Sequence, residues 1–183
     1  VEVERGRGAV RRVAGPTRER RRRRGDVHRE RARGRRSVEV PGRVLRALHA
    51  QADALLLGRT TYEIFAAHWP HVPDDDPVGA VLNRVPKYVA STTLKTVQWN
   101  NSKLLHRDVP TAVAAVKDAR RGEIQVHGSC GLLQTLIEHD LVDEYRLWTF
   151  PVLLGNGKRL FDGGTIPAGL ELIDSTTSST GGG

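Results

Sequence analysis

The chain has 183 residues, 38% of them hydrophobic, with a formal net charge of +8 and a pI of about 10.3. That is the length of one ordinary domain, and its basic balance is confined to one end: residues 1–37 carry 15 arginines against five acids, while the rest is mildly acidic. Cys130 is the only cysteine, which excludes an intrachain disulfide, and no apolar run approaches the roughly 20 residues of a bilayer span.

In chain order, residues 1–42 are rich in Arg and Gly, with a run from Arg20 to Arg24, no Lys, no aromatic residue and no Leu or Ile. Such a segment cannot bury enough apolar surface to offset the entropy of ordering it, so it is expected to be disordered. Its composition also matches what GC-rich DNA encodes in almost any frame, which makes a frame artefact the second expectation. Its arginines are followed by more arginines and not by an apolar stretch, so it does not read as a signal peptide. The expected compartment is the cytoplasm.

Packed α/β patterning starts at Val44. Val44, Leu45 and Leu48 have helical spacing, and Ala54–Leu57 is a buried-strand run ending at Gly58. Tyr62, Ile64, Phe65 and Trp69 predict a helix that stops before Pro70, and Val78, Val81 and Leu82 predict a short one after the Pro/Asp loop. Lys87–Ala90 reads as a strand. Pro110, Val113, Val116 and Gly122 mark a further helix from start to end. Ile124 and Val126 alternate in a strand, a helix is expected from about Leu132 to His139, Tyr145–Leu154 reads as a long apolar strand, and Leu170–Ile173 as a shorter one. Strands alternating with helices predict a mostly parallel sheet covered on both faces.

Three polar turns fall where strands of that sheet end. His127-Gly128-Ser129-Cys130-Gly131 places glycines, which let a ligand approach the backbone, ahead of a helix whose free N–H groups suit a pyrophosphate. Leu57-Gly58-Arg59-Thr60-Thr61-Tyr62 adds a guanidinium that can grip a phosphate and two hydroxyls at a helix start, and Ala90-Ser91-Thr92-Thr93-Leu94 adds small hydroxyl residues. Open α/β sheets bind ligands along this edge, so three such turns are more informative than one. Each also has a plainer reading, as a tight turn, a helix cap or a solvated arginine. No nucleophile elbow is present, because His127 stands where its first glycine would be. His68 and His71 are the only close histidines and have no third ligand at a metal-like spacing, so no metal is expected. Cys130 at a helix start has two readings, a reactive thiol or the commoner inert buried one.

Four blocks carry a resemblance: Leu55 to Glu63, Val126 to Ser129, Asp140 to Tyr145, and Phe150 to Phe161. In order and spacing they resemble the RibD C-terminal domain family, which shares the dihydrofolate reductase fold and includes the reductase half of the bacterial riboflavin-biosynthesis deaminase/reductase. The resemblance covers about 130 residues, from position 43 to 176. It implies a three-layer α/β fold, with a mostly parallel central sheet, a C-terminal antiparallel strand, and the first and last strands incomplete or missing. Residues 177–183 are expected to be a disordered tail.

It implies, too, an NADPH-dependent reductase of a pterin or ribosylaminopyrimidine-type substrate, acting as a homodimer. Gly58, Arg59, Thr60, Thr61, Ser91 and Thr93 would meet the adenosine and phosphate side of NADPH, while Gly128, Ser129, Cys130, Gly131 and Leu132 would hold the pyrophosphate. Pro151, Leu154 and Gly155 would lie nearer the substrate. No catalytic acid is assigned, since the family's strand and Asp-Gly loop at the front have no match in residues 1–42. The alternatives are an inactive truncated homologue, or nucleic-acid binding through the arginine-rich arm.

Overall fold

A computed structural model describes residues 10–13, 49–106, 108–150, 153, 155–161 and 167–175. The elements are β1 (Val10–Val13), β2 (Ala52–Gly58), α1 (Arg59–His68) with a 3-10 turn (Trp69–His71), α2 (Pro77–Arg84), β3 (Lys87–Ala90), β4 (Ser102–Leu105), α3 (Val109–Ala119), β5 (Glu123–Gln125), α4 (Cys130–Glu138) and β6 (Gly169–Leu172). Four strands form the central sheet in the order β4-β3-β2-β5, every neighbouring pair parallel. β1 and β6 pair antiparallel as a separate two-stranded sheet.

β2 is buried on both faces, as a parallel strand beneath two helical layers must be. Ala54 and Leu56 join Val113, Leu133 and Leu136, from α3 and α4, in one core. Leu55 and Leu57 join Tyr62 and Leu82, from α1 and α2, in the other. Together they make the expected three-layer α/β domain. Helix starts follow local chemistry: Asp76 accepts the N–H groups of Val78 and Gly79 ahead of α2, and Pro77 and Pro110 occupy first-turn positions where a missing N–H costs nothing.

At the amino end of the sheet, Arg120 bridges Asp53 Oδ2 at 2.8 Å and donates to Tyr88 Oη at 3.1 Å. Gly122 lies so close that an added Cβ would fall 2.4 Å from that of Asp53. Lys87 is fully buried, and its ammonium donates to the carbonyls of Asn83, Val85 and Asn100 while sitting 4.3 Å from the centre of the Trp99 ring. Burial brings its pKa down to about 8.

Two expectations need revision. Residues 145–150 are not a strand: Tyr145 is buried, but Leu147, Trp148 and Phe150 are exposed, and no described strand offers them a ladder. An apolar run becomes a strand only where a neighbour takes its backbone groups. The antiparallel C-terminal strand exists as β6, but it pairs with β1 and not with the central sheet. Four residues of the arginine-rich segment, Val10–Val13, form β1; the remainder of residues 1–42, and the tail from 176, lie outside the described residues.

Candidate functional site

The carboxyl ends of β2 and β5 enter α1 and α4 through adjoining turns, and one hydroxyl joins them. Ser129 Oγ accepts the Gly58 N–H at 3.0 Å, and it lies 3.0 Å from Thr61 Oγ1 and 3.2 Å from the His127 carbonyl, either of which can take its single proton. Close approach is possible because Gly58 lacks a side chain: a Cβ there would already touch Ser129 and Leu132 at 3.5 and 3.6 Å.

Gly128 and Ser129 both have left-handed backbone, with φ of 56° and 53°. Glycine adopts it freely, whereas serine does so at a cost on the order of 1 kcal/mol. Positive φ at a non-glycine residue, held by several hydrogen bonds at a strand end, is a feature that concentrates in ligand sites. No side chain caps α4, and a Cβ at Gly131 would meet nothing within 4 Å. Its first-turn N–H groups have no partner within the helix, and the helix dipole favours an anion there. These features fit a pyrophosphate.

The third turn lies alongside. Arg59 Nε donates to Glu63 Oε1 at 2.8 Å and Nη1 donates to Thr93 Oγ1 at 2.7 Å, so the guanidinium spans from α1 to the turn after β3. Ser91 Oγ shapes that turn by accepting the N–H groups of Thr93 and Leu94. Thr60 is exposed beside them. Of the residues expected at the cofactor, Gly58, Arg59, Thr61, Ser91, Thr93, Gly128 and Ser129 thus form one connected cluster, with Cys130, Gly131 and Leu132 at its edge on α4. Cys130 is an exposed free thiol and not a buried one.

The substrate side is less complete. Pro151 and Leu154 lie outside the described residues, and a Cβ at Gly155 would meet nothing within 4 Å. The segment that follows is tied to α4, where Gln134 Nε2 donates to the Leu160 carbonyl at 2.9 Å.

Sequence patterning passed over His49 and read Phe65 only as a helix residue. The His127 ring stacks on His49 with centroids 4.7 Å apart and planes within 3° of each other, and Phe65 lies 6.2 Å away. Loss of surrounding water, together with His49, pushes the His127 pKa down to about 3 despite Glu123, so the ring is neutral at ordinary pH. The available signal was Glu123, Gln125 and His127 alternating along a strand whose other residues are apolar.

A cleft of about 680 Å³ opens beside α1, lined by Tyr62, Glu63, Ala66, Asn83, Gln98 and Trp99. Its polar groups serve the fold: Tyr62 Oη accepts the N–H groups of Gln98 and Trp99, and Asn83 bridges Trp99 Nε1 and the Trp69 carbonyl. The fused turns, and not this cleft, hold the groups suited to a phosphate. Among the described residues no helix is long and apolar enough to cross a membrane.

Comparison with known proteins agrees with this geometry. The family model described as the RibD C-terminal domain matches residues 15–182. The chain is 29% identical over 134 residues to the uncharacterized protein YyaP of Bacillus subtilis (strain 168), covering 72% of this chain and 71% of that one. It is also 26% identical over 109 residues to the uncharacterized protein YwjB of the same organism, covering 60% of this chain and 58% of the relative.

Proposed function

The chain belongs to the RibD C-terminal domain family and has its dihydrofolate-reductase-like α/β fold, and from that premise we propose that it is an NADPH-dependent reductase of a pterin or ribosylaminopyrimidine-type substrate. The observation that carries this reading is the fusion of two strand-to-helix turns through Ser129 Oγ, beside an uncapped helix start. Gly128, Ser129, Cys130, Gly131 and Leu132 would hold the pyrophosphate with backbone N–H groups. Arg59, Thr60, Thr61, Ser91 and Thr93 would hold the adenosine end and its 2′-phosphate. The bound cofactor supplies the hydride; the chain's own residues bind, orient and exclude water, and much of the rate enhancement expected of such a site comes from orientation.

NADPH titration followed by an assay with dihydrofolate and with 5-amino-6-(5-phosphoribosylamino)uracil tests the reading. Saturable binding with turnover of either substrate supports it. Binding without turnover identifies an inactive homologue that keeps the cofactor half, and no binding removes the reading.

A homodimer is part of the same proposal, supported by the exposed apolar group Leu147, Trp148, Phe150 and Leu153. Sedimentation as a single species near the 20.2 kDa chain mass at micromolar concentration would reject it.

A further inference from the structure

Beside the cofactor turns runs a chain of polar side chains that the reading above leaves unused. Glu123 and Gln125 are buried in β5, and His127 follows on the same face. Arg146 closes one end, donating from Nη1 to Glu123 Oε1 at 3.0 Å and from Nε to Glu144 Oε1 at 2.8 Å. A carboxylate gripped by a guanidinium can only accept hydrogen bonds. Gln125 accordingly directs its amide nitrogen to Glu123 Oε1, which leaves its oxygen, Oε1, 3.0 Å from His127 Nε2.

An amide oxygen has no proton to give, so the proton of that bond belongs to His127. In a neutral imidazole this fixes the Nε2–H tautomer and leaves a lone pair on Nδ1. The two ring nitrogens point to nearly opposite sides, so Nδ1 faces away from Gln125. Nδ1 has no hydrogen-bond partner among the described residues, and it is not one of their fully buried atoms. His49 and Phe65 fix the plane of the ring.

We propose that His127 is a specificity-determining residue of this site: Arg146, Glu123 and Gln125 lock its imidazole as the Nε2–H tautomer, so that Nδ1 accepts a hydrogen bond from an N–H group of the substrate heterocycle. The ligand half of this proposal rests on the reductase reading, while the tautomer half does not. A site with a fixed acceptor favours rings that bear a donor at that edge and disfavours those that present a lone pair, because the two acceptors would then face each other unpaired.

Two measurements on the full chain test it. In 15N,13C-labelled protein, with the His127 ring assigned by through-bond correlation to its own backbone, the two-bond spectrum at neutral pH should show the Nε2–H tautomer. An Nδ1–H tautomer or a fast mixture of both overturns the lock, and this wild-type readout does not depend on whether a variant folds. In the second measurement 7,8-dihydropterin is the probe, with NADPH titrated in parallel. Wild-type binding should move the His127 Nδ1 resonance, His127→Phe should weaken dihydropterin on the order of tenfold with NADPH affinity unchanged, and His127→Asn, whose amide supplies both donor and acceptor, should recover part of the loss. Failure of wild-type protein to bind dihydropterin, or equal affinity in His127→Phe, overturns the recognition role. Failure to bind NADPH removes the reductase reading and leaves the tautomer result standing.

Discussion

The Ser129 hydroxyl accepts the Gly58 N–H at 3.0 Å across 71 positions of sequence, so that a single side chain clamps the turn after β5 to the turn after β2. Ser129→Ala leaves that half-buried N–H without its acceptor and should lower stability by about 1–2 kcal/mol. Ser129→Gly loses the same bond but relieves the left-handed backbone, so it should be the less destabilised of the two. Urea denaturation of both variants checks the order, and a reversal would mean that backbone strain at position 129 is negligible.

Arg59 should decide between NADPH and NADH. A charge-assisted contact with the 2′-phosphate corresponds to roughly ten- to a hundredfold in affinity, so Arg59→Ala should weaken NADPH by that factor and leave NADH nearly unchanged. Glu63 already holds the same guanidinium at 2.8 Å, so Glu63→Gln should tighten NADPH several-fold at low salt. Equal weakening of both cofactors in Arg59→Ala would place the guanidinium at the pyrophosphate instead.

Acid should loosen the fold through His127. Its folded pKa of about 3 lies below the ordinary 6.5, so between these values the unfolded chain binds a proton that the folded chain refuses. The stability contributed by the neutral ring is therefore complete above about pH 6.5 and is lost as the pH falls toward 3. Urea midpoints measured between about pH 4 and pH 7 should rise more steeply in the wild type than in His127→Asn. Parallel slopes in the two proteins would show that other groups carry the dependence.

The Lys87 ammonium holds three backbone carbonyls together. Lys87→Met keeps the volume but leaves the carbonyls of Asn83, Val85 and Asn100 without their shared donor, and should cost about 3 kcal/mol. NADPH affinity should stay unchanged, since none of these groups belongs to the fused turns. A fully stable Lys87→Met would show that water satisfies the carbonyls as well as the ammonium does.

The sequence by itself determined the local elements of the domain and the residue types of its turns. The Leu55-Leu56-Leu57 run, the alternation at Ile124 and Val126, the Pro and Gly that frame α3, and the glycine and hydroxyl residues at Gly58–Thr61 and Gly128–Gly131 all act over a few positions, where steric and capping preferences are written residue by residue. The Tyr145–Leu154 run misled for a complementary reason: hydrophobicity reports that side chains avoid water, whereas a strand also needs a neighbour for its backbone, and none is described for residues 145–150. β4 at Ser102–Leu105 escaped notice because only Leu104 and Leu105 are apolar, and it is a strand because β3 supplies the ladder. Only the tertiary structure decided that Ser129 would close on Gly58, that His49 would stack on His127, and that Gln125 would face Glu123 on one side and His127 on the other. Those contacts are set by strand order and by the register of parallel strands, which depend on how the whole core packs and leave no periodic trace along the chain.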